Sequence, residues 1–245
     1  MTSFKLKALL KYPFNSKKRK TYRSTKTKEM KFKKFHRNAP EALRILSSAF
    51  EEYNKHNKVN VWLSFGTLLG AYRDSAIITH DYDIDFGIDE QSFSMDFLNF
   101  IANYDGFKLV KIFKIHSSNI DLNDFISEAT LSYKDCVNID FFVFKNKNDK
   151  KIVHWFEMDQ SLSRKRHYEK YGNQLRVCQC QFTDFSLSEI EFLGNKFNVP
   201  SDIVKHLTER YGADFMTPKK YSYDNRPRDF ERLLDDQNLA TEYYF

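Results

Sequence analysis

Leu43, Leu46, Ala49, Phe50 and Tyr53 recur at helical spacing behind Pro40. That spacing predicts an amphipathic helix beginning near the proline, a residue favoured at the first helical position. The apolar run Val61–Phe65 predicts a short buried strand, and Thr67–Tyr72 a short helix behind it. Ile84, Phe86 and Ile88 alternate with Asp83, Asp85 and Gly87, a period of two that predicts a strand. Residues 91–103 read as helix, and Phe107–Ile115, Glu128–Tyr133, Val137–Phe144 and Ile152–Phe156 as further strands. Asn146–Lys150 reads as a polar turn, and 160–180 fits no single period. Ser201–Tyr211 predicts a helix with Ser201 as N-cap and Gly212 as its stop, and Pro227–Leu239 a last amphipathic helix. There are no internal repeats. The pattern predicts one α+β domain, a mixed β-sheet flanked by helices, over residues 38–245, preceded by a basic arm over 1–37.

Charge sharpens that division. The chain of 245 residues carries a net charge of +6. Residues 1–37 hold 14 Lys and Arg against one acid, Glu29, whereas the remainder holds 25 basic and 32 acidic side chains, a net of −7. An acidic body with a basic arm argues against a nucleic-acid-binding module, because the body would repel a polyanion. Within the arm, Phe4, Leu6, Leu9, Leu10, Tyr12 and Phe14 are interleaved with Lys5, Lys7 and Lys11. Such a segment is either a solvated, disordered tail or an element lying on an anionic membrane surface. No apolar run matches a secretory signal, and no stretch approaches the ~18 residues of a spanning helix. The three cysteines, Cys136, Cys178 and Cys180, are an odd number and point to a reducing cytosol. The expected location is therefore the cytoplasm, peripheral at the inner face of the plasma membrane. Cys178-Gln179-Cys180 is too tightly spaced for the usual zinc pair and reads as packing. The cluster Arg164-Lys165-Arg166-His167 reads as a basic loop, either solvated or in contact with an anionic acceptor or nucleotide phosphate.

The candidate chemistry lies in 61–88. Gly66-Thr67 follows a strand and opens a helix, where glycine admits a close ligand and free N–H groups suit phosphate oxygens. Asp83 and Asp85 share one face of their strand while Ile84 and Phe86 face the core. Two adjacent carboxylates are costly unless a cation neutralises them, and Mg²⁺ or Mn²⁺, shared with substrate phosphates, fits oxygen ligands. Asp140 stands alone in the apolar strand Val137–Phe144. It is either an edge carboxylate with a basic partner, a third carboxylate of the metal site, or the general base for an attacking hydroxyl. Gly-Thr, a two-carboxylate strand and a later lone carboxylate together form the nucleotidyltransferase-fold pattern.

The run Phe65-Gly66-Thr67-Leu68-Leu69-Gly70-Ala71-Tyr72-Arg73, followed by Asp81-Tyr82-Asp83-Ile84-Asp85, resembles the signature of the LicD family, which includes bacterial phosphorylcholine transferases and is related to fukutin. Tyr211-Gly212-Ala213-Asp214-Phe215-Met216-Thr217-Pro218 resembles the family's closing segment. The likeness spans residues 40–220. Where the family shows Trp-Asp-Asp-Asp-Ile-Asp, this chain has His80 in place of Trp and Tyr82 in place of the middle Asp. The resemblance implies transfer of phosphocholine, ribitol phosphate or a similar phospho-alcohol from a CDP-linked donor to a lipid-linked or other surface glycan: lipopolysaccharide, capsule or teichoic-type polymer. It implies a metal on Asp83 and Asp85, with Asp81 as a further ligand or a loop cap. Gly66, Thr67 and Arg73 would hold phosphate, and Asp140 would serve as base. A nucleotidyltransferase moving a nucleoside monophosphate is the alternative, because the same carboxylates serve both.

Overall fold

A computed structural model describes residues 3–218 and 231–245. Its elements run α1 (Ser3–Lys11), α2 (Ser16–Tyr53), β1 (Val61–Leu63), α3 (Phe65–Arg73), β2 (Asp83–Asp89), α4 (Met95–Ala102), β3 (Phe107–Ser117) and β4 (Ile126–Tyr133). They continue with β5 (Val137–Lys147), β6 (Lys150–Glu157), α5 (Arg164–Tyr171), β7 (Leu175–Thr183), β8 (Leu187–Phe192), β9 (Asn195–Pro200), α6 (Ile203–Tyr211), β10 (Arg232–Leu233) and β11 (Asn238–Tyr244).

Four sequence expectations are corrected. The helix expected to start at Pro40 begins at Ser16 and runs unbroken through the proline and through the 37/38 boundary. Between Asn15 and Pro40 no glycine or proline interrupts a stretch rich in Lys and Arg, which favour helix, and Pro40 removes only one interior hydrogen bond. The N-cap of α6 is Asp202, whose side chain accepts from Lys205 N–H, and not Ser201; the predicted stop at Gly212 is observed at φ +88. The unassigned segment 160–180 resolves into α5 and most of β7. Where a last helix was expected over Pro227–Leu239, residues 227–230 lie outside the described residues and 231–239 form β10, a turn and the start of β11. There a whole strand's worth of pairing to β3 outweighs a weak helical pattern.

The mixed architecture of helices and sheet is as expected, but the sheet closes on itself. The strand order β1-β2-β5-β4-β3-β11-β7-β10 is joined by β6, which pairs with both β5 and β7, so β5, β4, β3, β11, β7 and β6 form a ring. All neighbouring pairs are antiparallel except β2 with β5. A small β8–β9 hairpin packs beside β1 and under α2.

The inner face of β2 and β5 meets α2 and α4 through aromatics. Phe86 stacks on Phe141 at 5.5 Å, Phe50 meets Phe86 edge-on at 5.3 Å, and Phe97 meets Phe141 at 5.7 Å. Each such buried ring contributes roughly 1.5–3 kcal/mol, which anchors the strand that carries Asp83 and Asp85. On the opposite face of β2 the row reads Asp83, Asp85, Gly87 and Asp89. Trp62 is the cross-strand partner of Gly87, and its indole fills the space a Cβ there would need. Gly87→Ala is therefore expected to lower stability by about 2–3 kcal/mol through overpacking, a fall in Tm of roughly 5–10 °C. Combining it with Trp62→Phe should cost less than the sum of the two single changes. Thermal denaturation of the three variants checks this; full additivity would show that the two residues do not collide.

Candidate active site

β2 and α3 build the acidic centre together. The polypeptide enters α3 with Phe65 at φ +41, a left-handed geometry that costs a non-glycine residue about 1–3 kcal/mol. Gly66 and Thr67, the next two residues, strap Asp85 from both sides. The Gly66 N–H donates to Asp85 Oδ2 at 3.1 Å, and the Asp85 N–H donates to Thr67 Oγ1 at 2.8 Å. Gly66 also leaves room for Asp81, whose Oδ2 would lie 2.8 Å from a Cβ at that position.

The parallel pairing of β2 with β5 sets Asp85 opposite Asp140. One carboxylate oxygen from each of Asp83, Asp85 and Asp140 lies within 4.8 Å of the others. The Asp140 carboxylate is steadied by Thr130 Oγ1, which donates to its Oδ1 at 2.6 Å from the facing position on β4. Asp81 is not in this group of three. Its backbone carbonyl accepts from His36 Nε2 of α2 at 3.1 Å, and its carboxylate borders two cavities. Tyr82 is 67% exposed, so the residue that replaces the family's middle Asp points away from the acidic row.

Like charges crowded into a half-buried site hold their protons. Burial first, then the charges of Asp83, Asp140 and Asp81, raises Asp85 well above the usual carboxylate range. Burial also raises Asp83. It raises Asp140 to about 6, against the Thr130 hydroxyl and with the charge of Asp83. Asp81 is raised to about 7 by burial and Asp83, opposed by Arg73.

A cavity of about 530 Å³ opens over this centre. Asp81, Asp85 and Glu128 are its acids, with Gly66 among them, Phe65, Phe113, Phe142, Trp155, Phe156 and Tyr211 its aromatics, and Lys111 and Arg210 its cations. Three of these, Glu128, Lys111 and Arg210, bring charges that lie outside the sequence motifs. Glu128 lies two residues before Thr130 on the same face of β4. Burial and the charge of Asp140 lift it to about 8, with Lys111 opposing. Lys111 on β3 pairs with Glu242 of β11 at 2.8 Å. The Arg210 guanidinium sits 4.9 Å from the Trp155 ring centre and 5.5 Å from that of Phe65, and is paired with Glu231 at 3.3 Å. Glu128 lacks the signal that singled out Asp140: it shares the polar face of an alternating strand with Thr130 and Ser132, where a carboxylate is ordinary in sequence. Lys111 and Arg210 reach the cavity only through folding.

Arg73 takes a different place. Its guanidinium holds Asp74 through two hydrogen bonds of 2.9 and 2.8 Å and lines an adjoining pocket with His80, Asp81, Tyr211 and Phe215. Cys178 and Cys180 are buried in packing with Trp62, Phe144, Val153, Trp155 and Phe182, as the spacing suggested. Arg164–His167, expected as a loop, instead opens α5, and His167 is buried, its Nδ1 accepting from Asp159 N–H at 3.0 Å.

The raised carboxyls carry a stability consequence for the metal-free protein. A group that binds its proton more tightly folded than unfolded adds stability below its unfolded value, and that stability is lost as pH rises through its folded value. The buried His154 and His206, lowered to about 4 and about 3, work oppositely, but only below their ordinary 6.5. Between about pH 6.5 and 8 the acids alone act, through Asp81 at about 7 and Glu128 at about 8. In EDTA, Tm is expected to fall across that window and to recover when Mg²⁺ or Mn²⁺ is added at pH 8. A flat profile insensitive to the cation would contradict the buried acidic centre.

Comparison with known proteins adds an independent line. The family model described as LicD/FKTN/FKRP, nucleotidyltransferase domain, matches residues 58–202. The ribitol-5-phosphate transferases FKTN of Macaca fascicularis and of Homo sapiens are each 29% identical over 190 residues, covering 76% of this chain and 35% of theirs. The chain thus spans about a third of the length of these curated relatives. Among solved structures, the lincomycin-bound lincosamide antibiotic adenylyltransferase LnuA aligns with 72% of this chain and 94% of its own at a TM-score of 0.37 and 14% identity.

Proposed function

Because the chain belongs to the LicD/FKTN/FKRP family, matched over its nucleotidyltransferase domain, we propose that it is a phosphotransferase. In this reading it moves a phospho-alcohol, such as ribitol phosphate or phosphocholine, from a CDP-activated donor to a glycan hydroxyl. The observation that carries the reading is the register of β2 on β5, which sets Asp85 opposite Asp140 with Asp83 alongside. The donor set is all carboxylate oxygen, crowded and reluctant to ionise without a counter-charge, and it fits Mg²⁺ or Mn²⁺. Asp83, Asp85 and Asp140 would hold the cation, which when bound supplies Lewis-acid neutralisation of the donor's diphosphate.

The protein's own groups do the rest. Arg210 and Lys111 place positive charge in the cavity where a diphosphate must lie. Gly66 keeps the floor of the cavity low, and Thr67 holds Asp85 in place. Arg73 balances Asp81 from the adjoining pocket. The acceptor oxygen attacks the phosphorus that carries the alcohol, and the bond from that phosphorus to the CMP oxygen breaks. With Asp140 drawn into the carboxylate group of three, Glu128 is the base that takes the acceptor's proton. The aromatic wall offers faces for the donor's base or the acceptor's sugar rings.

CMP release tests the assignment. The purified protein, Mg²⁺ and an acceptor glycan are incubated with CDP-ribitol, CDP-choline, CDP-glycerol, CTP or ATP. Acceptor-dependent CMP from one CDP-alcohol is the expected result. Pyrophosphate from CTP or ATP, with no CDP-alcohol consumed, would replace this reading by nucleotidyl transfer.

A further inference from the structure

The first 37 residues are not used by the site, and their structure is specific. α1 folds back on the N-terminal half of α2, with Ala8 buried between them. The turn is fastened by the Asn15 side chain, which accepts from Lys18 N–H at 2.8 Å, and by Arg19, which donates to the Tyr12 and Pro13 carbonyls. The first buried residue of α2 is Phe35. Residues 16–34 therefore carry the hairpin roughly 28 Å beyond the body at about 1.5 Å per residue. Leu6, Leu9 and Leu10 follow an i, i+3, i+4 stripe on α1, on the side away from Ala8, and Phe14 stands in the turn that follows the helix; all four are exposed, Leu10 at 74% and Phe14 at 99%. Around them the segment carries 14 Lys and Arg. Its one acid, Glu29, is paired with Lys26 at 2.6 Å.

We propose that the α1–α2 hairpin is a membrane-surface contact that inserts Leu10 and Phe14 at its tip into an anionic bilayer. Charge complementarity selects an anionic partner, since thirteen cations have no acid within the segment. The apolar stripe selects a bilayer over a soluble polyanion, because a polyanion offers nothing for Leu6, Leu9, Leu10 and Phe14 to enter, whereas an interfacial helix buries such a stripe below the headgroups while lysines meet the phosphates. Among the described residues no helix is long and apolar enough to cross a membrane; the contact is peripheral. The hairpin continues into the catalytic body through one unbroken helix, α2. Phe35 is buried, and His36 of the same helix binds the carbonyl of Asp81, so a bilayer that holds the tip also sets the orientation of the cavity.

Sedimentation of the full chain with vesicles tests this without reference to catalysis. Wild type is expected to bind phosphatidylglycerol-containing vesicles and not pure phosphatidylcholine, with binding weakened by salt. Leu10→Asp combined with Phe14→Asp should lower the partition coefficient at least tenfold with helix content by circular dichroism unchanged. Lys17→Glu, Lys18→Glu and Lys20→Glu together should do the same. Loss in the charge variant alone, with the apolar variant unaffected, would overturn insertion. Binding of heparin or single-stranded RNA without binding of vesicles would overturn the membrane as partner. Turnover on a soluble acceptor should be unchanged in the apolar variant, so failure of this proposal and failure of the phosphotransferase reading give different results.

Discussion

Asp85→Asn is expected to lower transfer by at least about 10³-fold, roughly 4 kcal/mol of barrier, while raising the Tm of the metal-free protein. The two effects have one cause. Asp85 sits at the centre of the acidic group, facing Asp140 across the parallel ladder and held by the Gly66 N–H and the Thr67 hydroxyl. Its charge is the one most opposed by its neighbours, Asp83, Asp140 and Asp81. Removing the ionisable group spares the empty site the cost of holding it protonated and removes a hard ligand from the loaded one. Asparagine keeps the shape, and its carbonyl can still accept from Gly66. The measurements are CMP release with the preferred CDP-alcohol, Mn²⁺ titration, and thermal denaturation in EDTA. A variant that loses activity and also loses stability would indicate misfolding. Activity within a few-fold of wild type would contradict the assignment of the metal site.

Glu128→Gln is expected to lower kcat by about 10²–10⁴-fold with Mn²⁺ affinity little changed. Glu128 borders the cavity from β4, outside the group formed by Asp83, Asp85 and Asp140. Burial and the charge of Asp140 lift it to about 8, against the pull of Lys111. A carboxyl poised near neutral pH is suited to receive a proton from a hydroxyl. The glutamine variant should also flatten the alkaline-rising limb of the kcat profile, a change that a purely structural residue would not produce. An unchanged kcat would return the role of base to Asp140. A lost Mn²⁺ site would instead make Glu128 part of the cation's surroundings.

Much of the centre is legible without coordinates, because it is local. Strand, Gly-Thr turn, helix and carboxylate strand lie within about thirty residues, and the alternation of Asp83 and Asp85 with Ile84 and Phe86 reports which face is acidic. The start of α2 is not legible in the sequence, because a proline that helices favour at their first position here lies inside a helix supported on both sides. The strand at 238–244 is not legible either, because a short strand completing a sheet is decided by its partner. Asn238–Tyr244 follows β3 residue for residue from Ser117 to Lys111.

By itself the sequence determined the contrast between a basic N-terminal stretch and an acidic remainder, the β1–α3–β2 unit with its paired carboxylates, and the isolated Asp140. Periodicity and charge are properties of neighbouring residues and need no knowledge of the fold. Only the tertiary structure decided that Asp85 faces Asp140 and not a residue one step along. It also decided that Glu128, Lys111 and Arg210 converge on the same cavity, that Arg73 turns aside to Asp74, and that the sheet closes through β6 and β11. These are pairings between strands and helices far apart in the chain, and their register is set by packing of whole faces, which no local pattern records.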